Sequence, residues 1–253
     1  MNKSVQHLDI YPNYSLKLEQ AGWFKKLKIR LLPQHLLTQI SFELHMTWVR
    51  LTSWSESKKY ANAKGLLVNL GAGDQGKQGW VNVDAYGLPG VNCIYDCRKG
   101  LPFPDNSVRG IFCEHFLEHI DYTEEIPYFI SECYRVLEPG GVIRLIVPDA
   151  GRYLKAYCQD SWEELQALRP LDSEGTDFYL KCKYHTKMEL INNVFRHGEE
   201  HRYAYDYETL EFLLLKYGFS SVKQQEFGKS MKDYLCLERQ ERASESLYVE
   251  AVK

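Results

Sequence analysis

The sequence has no apolar run approaching the roughly 18 residues that a membrane span requires, and its opening MNKSVQHLDIYPNY lacks the apolar stretch of a secretory signal. Both absences point to a cytoplasmic chain. The seven cysteines, Cys93, Cys97, Cys113, Cys133, Cys158, Cys182 and Cys236, are odd in number and form no C-x-x-C pair, so they read as reduced core residues. Excess charge of either sign is also missing. A formal charge of −3 with 26% charged and 44% hydrophobic residues is that of an ordinary soluble globular protein, and nothing in it points to nucleic acid. No internal repeat or low-complexity tract is present. At 253 residues the chain can bury a substantial core, and one domain with additions is expected.

The most informative segment is LLVNLGAGDQGKQGWVNVD, Leu66 to Asp84, which sets a glycine turn between two short apolar strands and ends the second on a carboxylate. Gly71-Ala72-Gly73-Asp74-Gln75-Gly76 fits G-x-G-x-x-G, the turn of dinucleotide sites. A dinucleotide site also needs a full helix after the turn to meet a pyrophosphate, with an acidic residue about 20 residues onward. Here the acid, Asp84, comes too early, and Lys77-Gln78-Gly79 has no apolar helical face. A ligand without phosphate suits this compressed unit. S-adenosylmethionine (SAM) is one, with ribose hydroxyls for Asp84 and an amino-acid tail for the backbone near Gly71 and Gly73.

Further along, strands are expected at Leu66 to Leu70, Trp80 to Asp84, Cys93 to Asp96, Val108 to Cys113 and Val142 to Val147. A helix is expected over Thr123 to Leu137, ended by Glu138-Pro139-Gly140-Gly141, and another over Tyr207 to Tyr217, closed by Gly218 with Asp206 as its N-cap. Two last strands, near Val222 to Phe227 and Ser246 to Ala251, complete the sheet. The alternation implies an α/β, Rossmann-like, doubly wound and mostly parallel sheet of seven strands. Residues 149–205 hold no sheet strand; GRYLKAYCQDSWEELQAL reads as helical, and the segment forms a cap inserted after strand five, near the ligand edge of the sheet. Residues 1–64 form a helical extension with a linker at SESKKYANAK, ahead of a main domain over 65–253. The basic, partly amphipathic AGWFKKLKIRLLPQHLLTQI can lie on an anionic membrane surface, but packing on the sheet or closure over the ligand is the preferred reading.

In order and spacing, LVNLGAG, DCRKGLPFPDNSVRGIFCEHFLEHI, YRVLEPGGVIRLIVPDA and YDYETLEFLLLKYGF resemble the class I SAM-dependent methyltransferases, in particular their small-molecule, type 11 group, over about residues 66–252. The compressed GAGDQGKQGWVNVD also resembles a bacterial subgroup of predicted methyltransferases associated with glycan or cell-surface pathways. The resemblance implies SAM as cofactor, with Gly71, Ala72 and Gly73 beside its methionine part, Asp84 on the ribose and Asp96 on the adenine amino group. Leu101 and Phe103 would flank the adenine. One position departs: the acid usually found two residues before the first glycine is Asn69, which accepts a hydrogen bond without adding negative charge, so Asp74 is a candidate substitute. Glu114 and His115, just past strand four, should face the transferred methyl. The expected acceptor is a small molecule or glycan, methylated at a hydroxyl, with His115 as the base because histidine titrates near working pH.

His115-Phe116-Leu117-Glu118-His119 also spells H-x-x-E-H, a zinc-peptidase pattern. The same residues belong to the methyltransferase-like EHFLEHI, and no third ligand can be placed from sequence. No metal is therefore expected through His115 and His119. His185, His197 and His201 in the insertion are candidates for touching the acceptor. A SAM-binding scaffold without turnover and an NAD-dependent oxidoreductase are the alternatives, the second disfavoured by the missing helix.

Overall fold

The computed structural model describes residues 34–177 and 180–253. Strands β1 (Leu66–Leu70), β2 (Val81–Asp84), β3 (Cys93–Ile94), β4 (Val108–Glu114), β5 (Leu137–Pro148), β6 (Ser220–Gln225) and β7 (Ser246–Val252) make one sheet in the order β3-β2-β1-β4-β5-β7-β6. The pairings from β3 through β5 are parallel, and β7 runs antiparallel to both β5 and β6.

Alternation divides the strand side chains between two cores. Val68 and Leu70 of β1, Ile111 and Cys113 of β4, and Ile143, Leu145 and Val147 of β5 face the larger one. It is covered by Tyr60 of helix α2 (Trp54–Tyr60), by the apolar stripe of α3 (Ile126–Val136) and by Leu210, Leu213 and Leu214 of α7 (Tyr207–Lys216). On the opposite face Phe112, Val142, Ile146 and Tyr248 pack against Trp80 and Leu235, with Phe227, Tyr234 and Leu237 at the edge. That second layer comes from the chain between β6 and β7.

The remaining helices are α1 (Gln34–Thr52) in the extension, and α4 (Ala150–Tyr157), α5 (Glu163–Leu168) and α6 (Lys187–Arg196) in the insertion. The insertion has a core of its own, with Tyr153, Leu165, Tyr184, Leu190 and Val194 buried together. Asp206 caps α7 by accepting Thr209 N–H at 2.9 Å, as expected.

Three local expectations are corrected. The single helix over 151–168 is two, because Asp160 and Ser161 favour local turns over helix interiors and Ser161 Oγ accepts the Glu163 N–H. The linker expected at SESKKYANAK is helical through Tyr60, and Lys59 Nζ donates to Asn92 O at 2.7 Å. Glu138-Pro139-Gly140-Gly141 ends α3 but does not precede β5; it lies within it. There Gly140 N–H donates to Lys253 O and Lys253 N–H to Gly141 O, both at 3.0 Å, while the β4 register slips between Val108 and Gly110.

The cysteines are all free, and burial pushes the thiols of Cys97, Cys113 and Cys133 well up; Cys158 alone is exposed. Most of the basic stretch of the extension lies outside the described residues. Helix α1, at its C-terminal end, buries Met46 and Val49 and leaves Ile40, Leu44, Trp48 and Leu51 exposed. It sits over the carboxyl ends of β2 and β3: the His45 ring contacts Ala85 O at 3.0 Å, and Arg50 Nε donates to Asp96 at 2.8 Å. Among the described residues no helix is long and apolar enough to cross a membrane.

Candidate cofactor and active site

β1 runs straight into the glycine turn, and the end of the neighbouring strand β2 holds it. Ala72 N–H donates to Val83 O at 3.0 Å, and Gly73 N–H to Asp84 Oδ2 at 2.9 Å, so the acid at the end of β2 is tied to the turn it serves. Asp84 Oδ1 accepts Tyr86 N–H, also at 2.9 Å. Each carboxylate oxygen keeps acceptor capacity beyond these bonds. Gly71 is left-handed, φ +67°, and a Cβ there would lie 2.4 Å from the Phe116 ring. Gly76 is required for a different reason: its Cβ would lie 2.7 Å from the backbone of Gly90, so the third glycine of the motif lets two loops touch. No helix follows the turn.

Asn69 is buried, and its amide nitrogen donates to Gln75 O at 3.2 Å and Asn82 Oδ1 at 3.1 Å. Asn82 in turn grips Lys77, accepting its N–H at 2.8 Å and donating to its carbonyl at 2.9 Å. The Asn69 amide thus staples the compressed turn with its N–H groups, leaving its oxygen for the adjoining cavity. That cavity, about 150 Å³, is lined by Asn69, Gly71, Gly73, Lys77, Glu114 and His115, among others.

At the end of β4 the chain turns through His115 at φ +50°, sparsely populated for a residue with a side chain. Its N–H still pairs with Ile146 O of β5 at 2.8 Å. The ring bridges two buried groups, with Nδ1 3.2 Å from Glu118 Oε1 and Nε2 2.9 Å from Ser246 Oγ. Ser246 donates its own proton to Arg242 O at 2.8 Å, so Oγ accepts from Nε2. Glu118 sits deep: burial would raise its carboxyl, but the hydrogen bond and charge of His115, with the charges of His119 and His201, hold it at about 2.

Sequence reasoning missed Lys77, Arg239, Glu118 as partner of His115, and Ser246. Arg239 N–H donates to Glu114 Oε1 at 2.9 Å, and its guanidinium pairs with Glu114 Oε2 at 3.4 Å. Lys77 Nζ donates to Leu237 O at 2.8 Å, and burial pulls its ammonium below the usual lysine range. The contacts of Lys77 and Glu114 here join positions more than a hundred apart in sequence, which no local pattern signals.

Residues 85–145 match the family described as a methyltransferase domain. The matched segment runs from the end of β2 into β5 of the seven-stranded, mostly parallel sheet, which is Rossmann-like. Solved structures similar to it include a SAM-dependent methyltransferase from Archaeoglobus fulgidus, at 15% identity over 92% of this chain and 100% of that one, with a TM-score of 0.45. Another is the 1,6-didemethyltoxoflavin-N1-methyltransferase of Burkholderia thailandensis, at 12% identity over 92% and 91%, with a TM-score of 0.43. A third is phosphoethanolamine N-methyltransferase 2 of Haemonchus contortus, at 13% identity over 93% and 61%, with a TM-score of 0.40. No curated protein matches the chain.

The residues present fit the methionine and ribose parts of SAM: a turn whose first glycine admits no side chain, the Asn69 oxygen, and Asp84 at the neighbouring strand end. The adenine side is arranged differently. Asp96 is buried and its carboxylate is taken up by Arg98 Nε at 2.9 Å and Arg50 Nε at 2.8 Å. Burial would raise its carboxyl, but the hydrogen bonds from both arginines hold it below the usual range. Leu101 and Phe103 lie in the main core, with Phe103 edge-on to Tyr60 at 5.2 Å, and neither lines the cavity beside the turn. Of the insertion histidines, His185 is exposed beside Glu189 and His197 ends α6. His201 reaches the loop after β4, where its ring stands edge-on to His119 at 4.7 Å.

Proposed function

We propose that the protein transfers the methyl group of SAM to a hydroxyl of a small-molecule or glycan-type acceptor, with His115 as the base. The observation that carries this reading is the convergence of the Gly71 turn, Asp84 and His115 at the carboxyl ends of three adjacent strands, where ligands of open α/β sheets bind.

Bound there, SAM supplies an electrophilic methyl on a sulfonium leaving group. The residues then have two tasks: to hold the acceptor oxygen in line with that methyl, and to remove the hydroxyl proton as the new carbon–oxygen bond forms. Glu118 keeps the Nδ1 proton of His115 in place, so Nε2 is the nitrogen that receives the acceptor's proton. Ser246 can rotate its hydroxyl from Arg242 O towards Nε2 when that nitrogen is unprotonated, and this bond must be given up for Nε2 to meet the acceptor hydroxyl. Lys77 is the cation of this lining suited to the cofactor's carboxylate, since Arg239 is already paired with Glu114. At about 150 Å³ the cavity is smaller than the roughly 300 Å³ at which small-molecule sites begin, so its walls must open to admit the cofactor.

The scaffold reading draws on one pair of observations: the cavity beside the turn is small, and the carboxylate of Asp96 is already neutralised. Turnover separates the two, and cell extracts and activated sugars incubated with radiolabelled SAM are the assay. Label transferred to no acceptor, with SAM bound, would favour the scaffold.

S-adenosylhomocysteine at about 100 times its dissociation constant is expected to stabilise the fold by about 2.7 kcal/mol, while NAD and NADP leave the melting temperature unchanged. Stabilisation by NAD alone in a thermal-shift series would sink the methyltransferase reading. Asp84→Ala is expected to weaken binding of the same ligand by about 1.5 to 3 kcal/mol, the worth of a charge-assisted hydrogen bond. Titration calorimetry reads this directly, and an unchanged affinity would place the ribose elsewhere.

A further inference from the structure

Behind His115, two imidazoles and a buried carboxylate converge, and methyl transfer uses none of their free donor atoms. Glu118 and His119 lie on the 3₁₀ turn after β4 (Leu117–His119). His201 arrives from the far end of the insertion, delivered because Arg202 and Tyr203 donate their backbone N–H groups to Glu118 O at 2.7 and 3.3 Å. One donor atom from each of the three residues lies within 4.8 Å of the others.

Glu118 and His201 are prepared for a cation. Glu118 is 2% exposed; Oε1 is engaged by His115, and Oε2 is buried with no partner. An orphaned oxygen on a buried, ionised carboxylate is costly unless something positive meets it. The His201 Nδ1 lies 2.7 Å from Val194 O, and because a carbonyl only accepts, that nitrogen carries the proton and Nε2 presents its lone pair.

We propose that Glu118, His119 and His201 bind one divalent transition-metal ion of the zinc type. Two imidazoles and a carboxylate are a zinc donor set, and with only three protein ligands a fourth position stays open. With bonds of about 2.1 Å, tetrahedral ligands stand about 3.4 Å apart, so the three donors must close by about 1.4 Å at most, a matter of side-chain rotation. His115 is outside this cluster, its nitrogens facing Glu118 Oε1 and Ser246 Oγ. The pair suggested by H-x-x-E-H is therefore replaced: His119 keeps its place, and the ligand that spacing alone did not supply is His201. The ion would tie the insertion to the turn that carries His115 and would neutralise Glu118 Oε2 while Oε1 keeps its hold on that ring. Metal binding at these three residues is independent of methyl transfer and is read from the ion itself.

The full chain, stripped with a chelator, is titrated with cobalt(II) and then zinc, following the visible cobalt bands and the heat of zinc binding. One ion per chain is expected. Loss of a partner that merely orients a ligand costs about 10- to 100-fold in affinity, so loss of a direct ligand in His119→Ala or His201→Ala should exceed about 100-fold. His185→Ala, at an exposed histidine, should bind as the wild type does. Circular dichroism checks that each variant is folded, and His119→Gln and His201→Gln take over the comparison should alanine unfold either. No saturable uptake by the wild type, or uptake that survives loss of either histidine, overturns the proposal.

Discussion

Replacing His115 with alanine is expected to lower turnover at least about 100-fold, the lower end of what general-base assistance contributes, while SAM affinity changes little. The split between the two readouts is the point. His115 follows β4 directly, and its Nε2 lies 2.9 Å from the Ser246 hydroxyl, at hydrogen-bonding distance from a hydroxyl oxygen. A base removed from this position affects proton transfer and leaves the Gly71 turn and Asp84 as they were.

Alanine has a second effect that must be separated from the first. It leaves Glu118 buried without its main partner and places a side chain other than histidine at φ +50°. His115→Asn is the better-behaved companion, because asparagine tolerates the left-handed region but cannot take a proton at neutral pH. Both rates are corrected for the folded fraction. Near-normal turnover in the asparagine variant would remove His115 as the base and direct attention to His185, His197 or His201.

Local patterns in the sequence carried much of this molecule. The short apolar runs became β1, β2 and β4 with small changes at their ends, because a parallel strand buried on both faces is written as a continuous apolar run. The G-x-G-x-x-G turn was legible as a pattern, although the contacts that dictate its glycines come from further along the chain, Phe116 for Gly71 and Gly90 for Gly76. The departures arise where tertiary contacts override local preference. Glu138-Pro139-Gly140-Gly141 reads as a helix terminator, yet the end of β7 pairs with it and draws it into β5. Asp96 reads as a ligand residue, yet Arg50 from α1 and the nearby Arg98 claim it. The pairing of Glu114 with Arg239 and the meeting of Glu118 with His201 depend on how the insertion and the last loop fold back, which no spacing in a single sequence encodes.

Arg144→Met is expected to destabilise the fold by about 3 to 5 kcal/mol, the cost of breaking a buried ion pair from one side. Arg144 lies in β5 with its side chain fully buried, and its guanidinium joins Glu250 Oε1 at 2.8 Å and Glu238 Oε1 at 2.6 Å. It also donates to Lys229 O at 2.8 Å, so one cation pins the β6–β7 segment that covers the second face of the sheet and presents Arg239 to the cavity. Methionine fills much of the volume but leaves two carboxylates, 0% and 2% exposed in their side chains, without a counter-charge. For a domain of this size the melting temperature should fall by about 2 to 4 °C per kcal/mol, or roughly 6 to 20 °C in a thermal melt. Adding Glu238→Gln and Glu250→Leu should recover most of that loss, since the penalty lies in the unpaired charges and not in the missing arginine. A single variant that melts within about 2 °C of the wild type would show that apolar packing around Phe112, Leu235 and Tyr248, and not this cation, holds the segment that carries Arg239 against the sheet.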